Sequence, residues 1–265
     1  MQLELTLAKT IRAVLPLLAI VSGAASAQSK LPQTFEAGYS LYSRGAKIAE
    51  MRRILRPLNN GLYQYRSETR TTGLIALFRN DHIVEESTWL LHGESLRPLR
   101  YLYEHSRGKK DRNVAVDFDW ASRRITNTIN GDSWLMPAEP DVLDKLLYQF
   151  AIMYDLSSGR IPRYYTIADG GKIKSYEFES LGEETVKTPL GNFQTLKFSR
   201  HREDSDRKTT FWCAPDLDFL PVKVEHVEKD GARTVVVIDS VMGLRNCSAP
   251  EPTAQADGSA MSCQR

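Results

Sequence analysis

From Phe35 onward, apolar and polar residues alternate in short runs, the spacing of strands that bury one face. Phe35 to Tyr42 (FEAGYSLY) places an apolar or aromatic residue at most alternate positions, and Arg44-Gly45 reads as a turn into a strand over Ala46 to Leu55. Asn59-Asn60-Gly61 is a hairpin signal, because Asn and Gly tolerate positive φ, and Leu62 to Thr71 alternates again. The same texture predicts strands near His82–Leu91, Arg97–His105, Arg112–Phe118 and Arg123–Ile129, with turns at Lys109-Lys110-Asp111 and Trp120-Ala121-Ser122. The second half predicts Tyr164–Ala168, Lys172–Leu181, Glu184–Thr188, Phe193–His201, Lys208–Cys213, Pro221–Glu228 and Arg233–Ser240. Turns at Asp169-Gly170-Gly171, Pro189-Leu190-Gly191-Asn192 and Lys229-Asp230-Gly231 separate some of these, with Gly where the backbone reverses. This pattern predicts a mainly β fold: a large meandering antiparallel sheet, curled or barrel-like so that its edges are protected.

One segment breaks the rhythm. Pro140 to Leu156 carries Leu143, Leu146, Leu147, Phe150, Ala151 and Tyr154 at helical spacing. Pro140 suits a first helical turn, Asp141 and Asp144 suit the positive end of the helix dipole, and Gly159 suits a stop. The expectation is one amphipathic α-helix packed on the concave face of the sheet.

The ends of the chain differ from this body. Residues 1–27 have the build of a secretory signal: Lys9 and Arg12, then the apolar run Ala13 to Val21, then small residues up to Ala25-Ser26-Ala27. The run is about nine residues, where a bilayer span needs roughly twenty. Cleavage after Ala27 and a periplasmic location are therefore expected, with no membrane span left after cleavage. No Cys stands near the cut to carry a lipid anchor. Residues 28–34 read as a flexible lead-in, 35–243 as a single β-rich domain, and 244–265, rich in Ala, Ser and Pro, as a disordered or loosely looped tail.

Charge changes the picture little. The chain has 35 basic and 33 acidic side chains, and losing Lys9, Arg12 and Glu4 with the leader keeps them near balance. Nothing in that total draws the protein to nucleic acid. Three cysteines would meet an oxidising compartment. Cys213 sits in an apolar strand and reads as a buried thiol, and a tail bridge between Cys247 and Cys263 is favoured over Cys213–Cys247 or no bridge.

Three stretches together resemble a known family. They are the Tyr39…Gly45…Tyr63 pattern, Val116-Asp117-Phe118-Asp119-Trp120 ahead of the helix, and Thr188-Pro189-Leu190-Gly191-Asn192-Phe193 leading to Phe211-Trp212-Cys213-Ala214-Pro215-Asp216-Leu217-Asp218-Phe219-Leu220-Pro221. Over roughly residues 35–243 the chain resembles the domain-of-unknown-function 3108 family of exported bacterial proteins. The resemblance implies a β-dominated periplasmic domain and assigns no functional residue. A plain apolar residue stands at the position of Cys213 in that family, which supports a buried structural thiol.

Candidate chemistry is thin. His82, His92, His105, His201 and His226 form no metal-ligand spacing, and no catalytic, cofactor or metal residues are assigned. Glu85-Glu86 and Glu183-Glu184 are adjacent, so on a strand their side chains face opposite ways, and Arg200 to Lys208 reads as a solvated hairpin tip. The feature with most functional content is apolar. Gly73 to Phe78 is too continuous for an alternating strand and reads as a lid or short helix. Leu74, Leu77, Phe78, Trp89, Trp134, Phe150 and Tyr154 are the candidate ligand-binding residues, lining a cavity between sheet and helix; the alternative is that they form plain core. The leading expectation is a non-enzymatic binding or carrier protein for a lipid or other apolar or amphipathic envelope ligand. The alternatives are a scaffolding protein that binds peptidoglycan or another envelope protein or glycan, and a hydrolase.

Overall fold

The computed structural model describes residues 34–77, 80–106, 111–202 and 205–244. The signal-like leader, the tail with Cys247 and Cys263, and Phe78 lie outside the described residues. The strands are β1 (Phe35–Ser43), β2 (Ala46–Pro57), β3 (Leu62–Thr71), β4 (His82–His92), β5 (Ser95–Ser106), β6 (Arg112–Asp119), β7 (Arg124–Ile129) and β8 (Asp132–Pro137) in the first half. The second half holds β9 (Leu143–Asp144), α1 (Leu147–Ser157), β10 (Tyr164–Asp169), β11 (Lys172–Thr188), β12 (Gly191–Arg202), β13 (Ser205–Ala214), β14 (Leu220–Val227) and β15 (Arg233–Met242).

All fifteen strands form one sheet in the order β8-β7-β6-β5-β4-β3-β2-β1-β15-β14-β13-β12-β11-β10-β9. Each half is a hairpin meander, and the two are joined where the first strand pairs antiparallel with the last, Tyr39 opposite Ile238 and Leu41 opposite Val236. Every pairing is antiparallel except the two-residue β9 on β10. The sheet is curled and not closed, with β8 and β9 as its edges. Both edge strands are short, which limits the backbone they leave unpaired. A side chain brings the ends together: the Trp134 indole N–H of β8 donates to the Gly171 carbonyl in the β10–β11 turn, at 3.0 Å.

The helix that the apolar spacing predicts is present but begins later. Residues 140–146 hold a turn and β9, and α1 starts at Leu147. Its cap residue is Leu146, which has no side-chain acceptor; instead the Asp144 carboxylate accepts from the Leu146 and Leu147 amides, at 2.9 and 2.7 Å. The helix is buried nearly all round, with Leu147, Tyr148, Phe150, Ala151, Ile152, Met153, Tyr154 and Leu156 inside. A one-sided apolar stripe suits a helix lying on a sheet; a helix enclosed by a curled sheet meets apolar surface on every side. Phe150 packs on Trp89 and Tyr65 from the first half, at ring-centroid distances of 5.1 and 5.8 Å. Tyr148 packs on Tyr176 of the second half at 5.2 Å. At its far end Asp155 accepts from Arg160 and from the Tyr165 hydroxyl, tying the helix to β10.

Other differences are local. Lys172 to Thr188, predicted as two strands, is one strand with an irregularity between Ser180 and Glu183. Asp132–Pro137 is a strand, β8, which the sequence pattern missed. Gly73–Leu77 is a 3₁₀ turn, as the continuous apolar run allowed. Cys213 is a buried free thiol.

The Trp134 contact generates a prediction. Gly170 and Gly171 both have positive φ, yet a Cβ on Gly171 would overlap the Trp134 indole, while one on Gly170 meets only the Lys174 ammonium at 3.9 Å. Gly170→Ala should therefore cost about 1–2 kcal/mol for its backbone alone, and Gly171→Ala roughly 1–3 kcal/mol more for the clash. Urea denaturation of the two variants checks the difference. Phe150→Ala should cost about 3–5 kcal/mol by the same measurement.

Candidate functional site

The hairpin ends divide the curled sheet into two rims. Turns at 44–45, 130–131, 170–171 and 228–232, together with the Gly73–Leu77 segment, lie on one rim, because antiparallel order brings those strand ends together. The concave face near this rim contains a register row of Leu41, Val236, Val224 and Phe211 across β1, β15, β14 and β13. Phe211 is buried, but Leu41, Val236 and Val224 are only half-buried, as is Ile83 on β4. Deeper on the same face the side chains are sealed against α1.

A polar layer flanks this apolar row: Arg53 stands deeper on the same face, while Arg200, Thr209 and His226 stand two residues nearer the rim than Phe211 and Val224. Arg53 alternates with Met51 and Leu55 on the inward face of β2 and is 7% exposed. Its Nη2 donates to Gln149 Oε1 at 2.6 Å, and its guanidinium lies 5.7 Å from the Tyr39 ring centroid. On the opposite wall, Arg200 stacks over the Tyr176 ring at 4.5 Å and donates to the Tyr148 hydroxyl at 2.8 Å and Thr209 Oγ1 at 2.9 Å. Thr209 in turn faces His226 Nδ1 at 2.9 Å, and His226 Nε2 faces Glu228 at 3.3 Å. Burial holds the His226 pKa below its ordinary value. The neutral ring therefore donates through Nε2 to the carboxylate and accepts the Thr209 proton at Nδ1. This relay leaves the hydroxyl oxygen turned toward Arg200 as an acceptor, so it fixes the guanidinium.

The carboxylates of the layer each have their own donors. Glu85 accepts from the Tyr101 hydroxyl at 2.7 Å. Asp144 is fully buried and accepts from Ser87 Oγ at 2.5 Å besides its two amides. Burial pushes its pKa up to about 6, against those hydrogen bonds. Asp169 accepts from Lys174 and the Tyr176 hydroxyl, both at 2.9 Å. Burial disfavours its ionisation, but Lys145, Lys174 and Tyr176 outweigh that and hold the carboxyl below its usual range. A cleft of about 280 Å³ reaches this layer between the inner faces of β5 and β6 and the end of β10. Tyr101, Tyr103, Arg112, Lys145 and Asp169 line it, and the Lys145 ammonium sits 5.8 Å from the Tyr103 ring centroid.

The residues expected from the sequence to line a ligand cavity are distributed through the structure. Trp89 and Phe150 meet, both fully buried, with Trp89 also stacked on Tyr63 at 4.7 Å. Tyr154 is buried beneath Arg160 towards the other rim. Trp134 is half-buried at the seam between the sheet ends. Leu77 stands 77% exposed on the rim, and the Leu74 side chain lies outside the described residues. Arg200, taken from the sequence as part of a solvated tip, instead faces inward; the correction follows from its register opposite Thr209, two pairs beyond Phe198 opposite Phe211 and so on the same face. Arg53, Asp144, Lys145 and Asp169 were not singled out from the sequence. A legible signal existed for Arg53, a cation at the inward parity of an alternating strand. Glu85 and Glu86 do face opposite sides, towards Tyr101 and Arg66. Among the described residues no group of three His, Cys, Asp or Glu side chains could hold a metal ion, and no helix is long and apolar enough to cross a membrane.

The family described as "Protein of unknown function (DUF3108)" matches residues 38–238, and the chain belongs to it. The sequence has no match among curated proteins. Among solved structures, it is similar to a β-barrel-like protein of the domain of unknown function DUF1849 from Brucella abortus. That match has a TM-score of 0.55 and 8% identity, and covers 81% of this chain and 99% of the other. At so low an identity the likeness is one of fold. A protein with a YmcC-like fold from Bacteroides fragilis, provisionally described as exported, aligns with a TM-score of 0.34 and 10% identity over 80% of this chain and 97% of the other. A likeness that loose carries no argument.

Asp144 gives the site a pH signature. Between 3.8 and about 6 the folded protein keeps a proton on Asp144 that the unfolded chain has released. Its contribution to stability is therefore greatest at low pH and falls as pH rises through that window. Asp144→Asn keeps an acceptor for the two amides and should remove that fall; Asp144→Ala loses the acceptor and should cost about 1–3 kcal/mol. Denaturation midpoints of wild type and both variants at pH 4.5 and 7 check the sign.

Proposed function

Membership of a family without an assigned activity leaves function to the site itself, and we propose that this protein is a non-enzymatic binding or carrier protein. It takes an apolar or amphipathic ligand into the concave face of the curled sheet. The observation that carries the reading is the half-buried row of Leu41, Val224 and Val236, with Ile83, on the inner face beside the rim. Apolar side chains on a concave wall gain about 25 cal/mol for each Å² of surface removed from water, and here that removal is left unfinished. The Gly73–Leu77 turn on the same rim, with Leu77 turned to solvent, is placed to cover a ligand. The polar layer beside this row supplies the few fixed hydrogen-bonding groups that orient a ligand in an otherwise apolar site.

The signal-like leader supports a periplasmic setting for this activity. Export predicts that protein recovered from the cells that make it begins at Gln28, which intact mass measurement checks. The carrier reading predicts that native mass spectrometry and lipid extraction of that protein recover a bound amphiphile. Val236→Arg should abolish the bound species while shifting stability by about 1 kcal/mol or less, since the position is half-buried. Protein that carries no ligand, and that binds no fatty acid or fatty alcohol when titrated, would sink the proposal.

A further inference from the structure

We infer that Arg53 and Arg200 form a receptor for the anionic head of the ligand, a carboxylate or a phosphate monoester. The inference rests on the carrier reading and adds the chemistry of what is carried. A guanidinium keeps its charge in any folded protein, and burying a cation without a counter-charge is strongly unfavourable. Arg53 is buried, yet neither it nor Arg200 forms an ion pair with a carboxylate among the described residues. Their acceptors are neutral: Gln149 for Arg53, and Tyr148 and Thr209 for Arg200.

Among the described residues none of the neighbouring carboxylates contacts either guanidinium. Glu85 faces Arg53 from β4, beyond ion-pair distance, and holds the Tyr101 hydroxyl. Asp144 holds Ser87 and the helix amides, which also answers the helix dipole. Asp169, the acidic neighbour of Arg200, holds Lys174 and Tyr176. Each guanidinium is thus left without a carboxylate in contact, and Glu85 acts on Arg53 only across that distance.

Both cations converge on one spot. They bond to adjacent residues in the first turn of α1, Tyr148 and Gln149, and the Tyr148 phenol lies within electrostatic reach of both. Donors remain open there. The Nε atoms of Arg53 and Arg200 and the hydroxyl of Tyr39 are buried with no hydrogen-bond partner. Unused N–H groups on two guanidinium forks suit the two or three oxygens of a carboxylate or phosphate. In the β1–β2 register, Arg53 lies opposite Ala37 and Leu41 opposite Ala49, so the arginine stands deeper on the same inner face than the apolar rim. Arg200, opposite Thr209, stands two residues nearer the rim than Phe211 and Val224, so the row of Leu41, Val236 and Val224 runs beside both arginines and takes the chain of an amphiphile whose head sits on them.

Calorimetric titration of the full mature chain with laurate, monododecyl phosphate, dodecanol and inorganic phosphate tests this. Laurate or monododecyl phosphate should bind roughly tenfold to a hundredfold more tightly than dodecanol, the range expected for charge-assisted hydrogen bonds. Arg53→Met and Arg200→Gln should each erase most of that preference by weakening the anions far more than dodecanol. Near-UV circular dichroism checks that each variant is folded; should Arg53→Met fail to fold, the more exposed Arg200→Gln carries the test. Equal binding of the anions and dodecanol, unaltered in a folded variant, overturns the inference and leaves the carrier reading standing. Inorganic phosphate binding as tightly as monododecyl phosphate keeps the anion site and overturns the amphiphile. Binding of none of the four overturns both.

Discussion

Enclosure of one helix by the sheet is the constraint on which the rest of this structure depends. Fifteen strands in a single layer have an inner face far too large to leave in water, and α1 is the element that fills its depth. Phe150 meets Trp89 and Tyr65 on one half, and Tyr148 meets Tyr176 on the other. The two meanders are covalently joined through the segment around the helix, and among the described residues they share a strand ladder only where β1 meets β15. The helix supplies a further contact between them, and this is why its surface is apolar on nearly every side. The Trp134 to Gly171 bond brings the free ends of the sheet into contact without a ladder to close it.

A helix of eleven residues cannot fill the whole concavity. Its first turn ends in a polar layer, and beside that layer the inner face carries an apolar row that is only half-covered. Burial of Asp144 is the consequence of starting a helix inside the sheet. Its first amides have no water to bond, so a carboxylate three residues ahead of Leu147 accepts them, at the expense of a raised pKa. The same depth makes the two arginines conspicuous. Each is held in position by neutral groups, Arg200 through the Thr209–His226–Glu228 relay and Arg53 through Gln149, and positioning by neutral acceptors leaves the charge itself unanswered.

Most strands were legible in the sequence because period-two alternation follows directly from having one wet face and one dry face. Asn59-Asn60-Gly61 and the glycine turns marked reversals because positive φ restricts which residues can stand there; Asn60 and Gly61 adopt it. The helix was legible in kind but not in extent. Its apolar spacing began at Leu143, yet Leu143 and Asp144 add to the sheet edge and only Leu147 begins the helix. The candidate site was less legible. Trp89 and Phe150 look like ligand-lining residues and equally like core in a linear pattern. Arg53 differs from Arg52 only in parity, and Arg200 stood inside a charge run whose other members masked its inward direction.

The sequence by itself determined the strand texture, the existence of one helix, the buried state of Cys213 and the export-like leader, because each of these is set by neighbours within a few residues. Tertiary structure alone decided that β1 pairs with β15, that the sheet curls without closing, and that Arg53 and Arg200 meet at the same helical turn. These depend on contacts between residues far apart in the chain, 52 positions for Arg200 with Tyr148, 96 for Arg53 with Gln149 and 199 for Ser40 with Asp239. Local alternation says which side of its strand a residue faces. Only the folded sheet says what stands across from it.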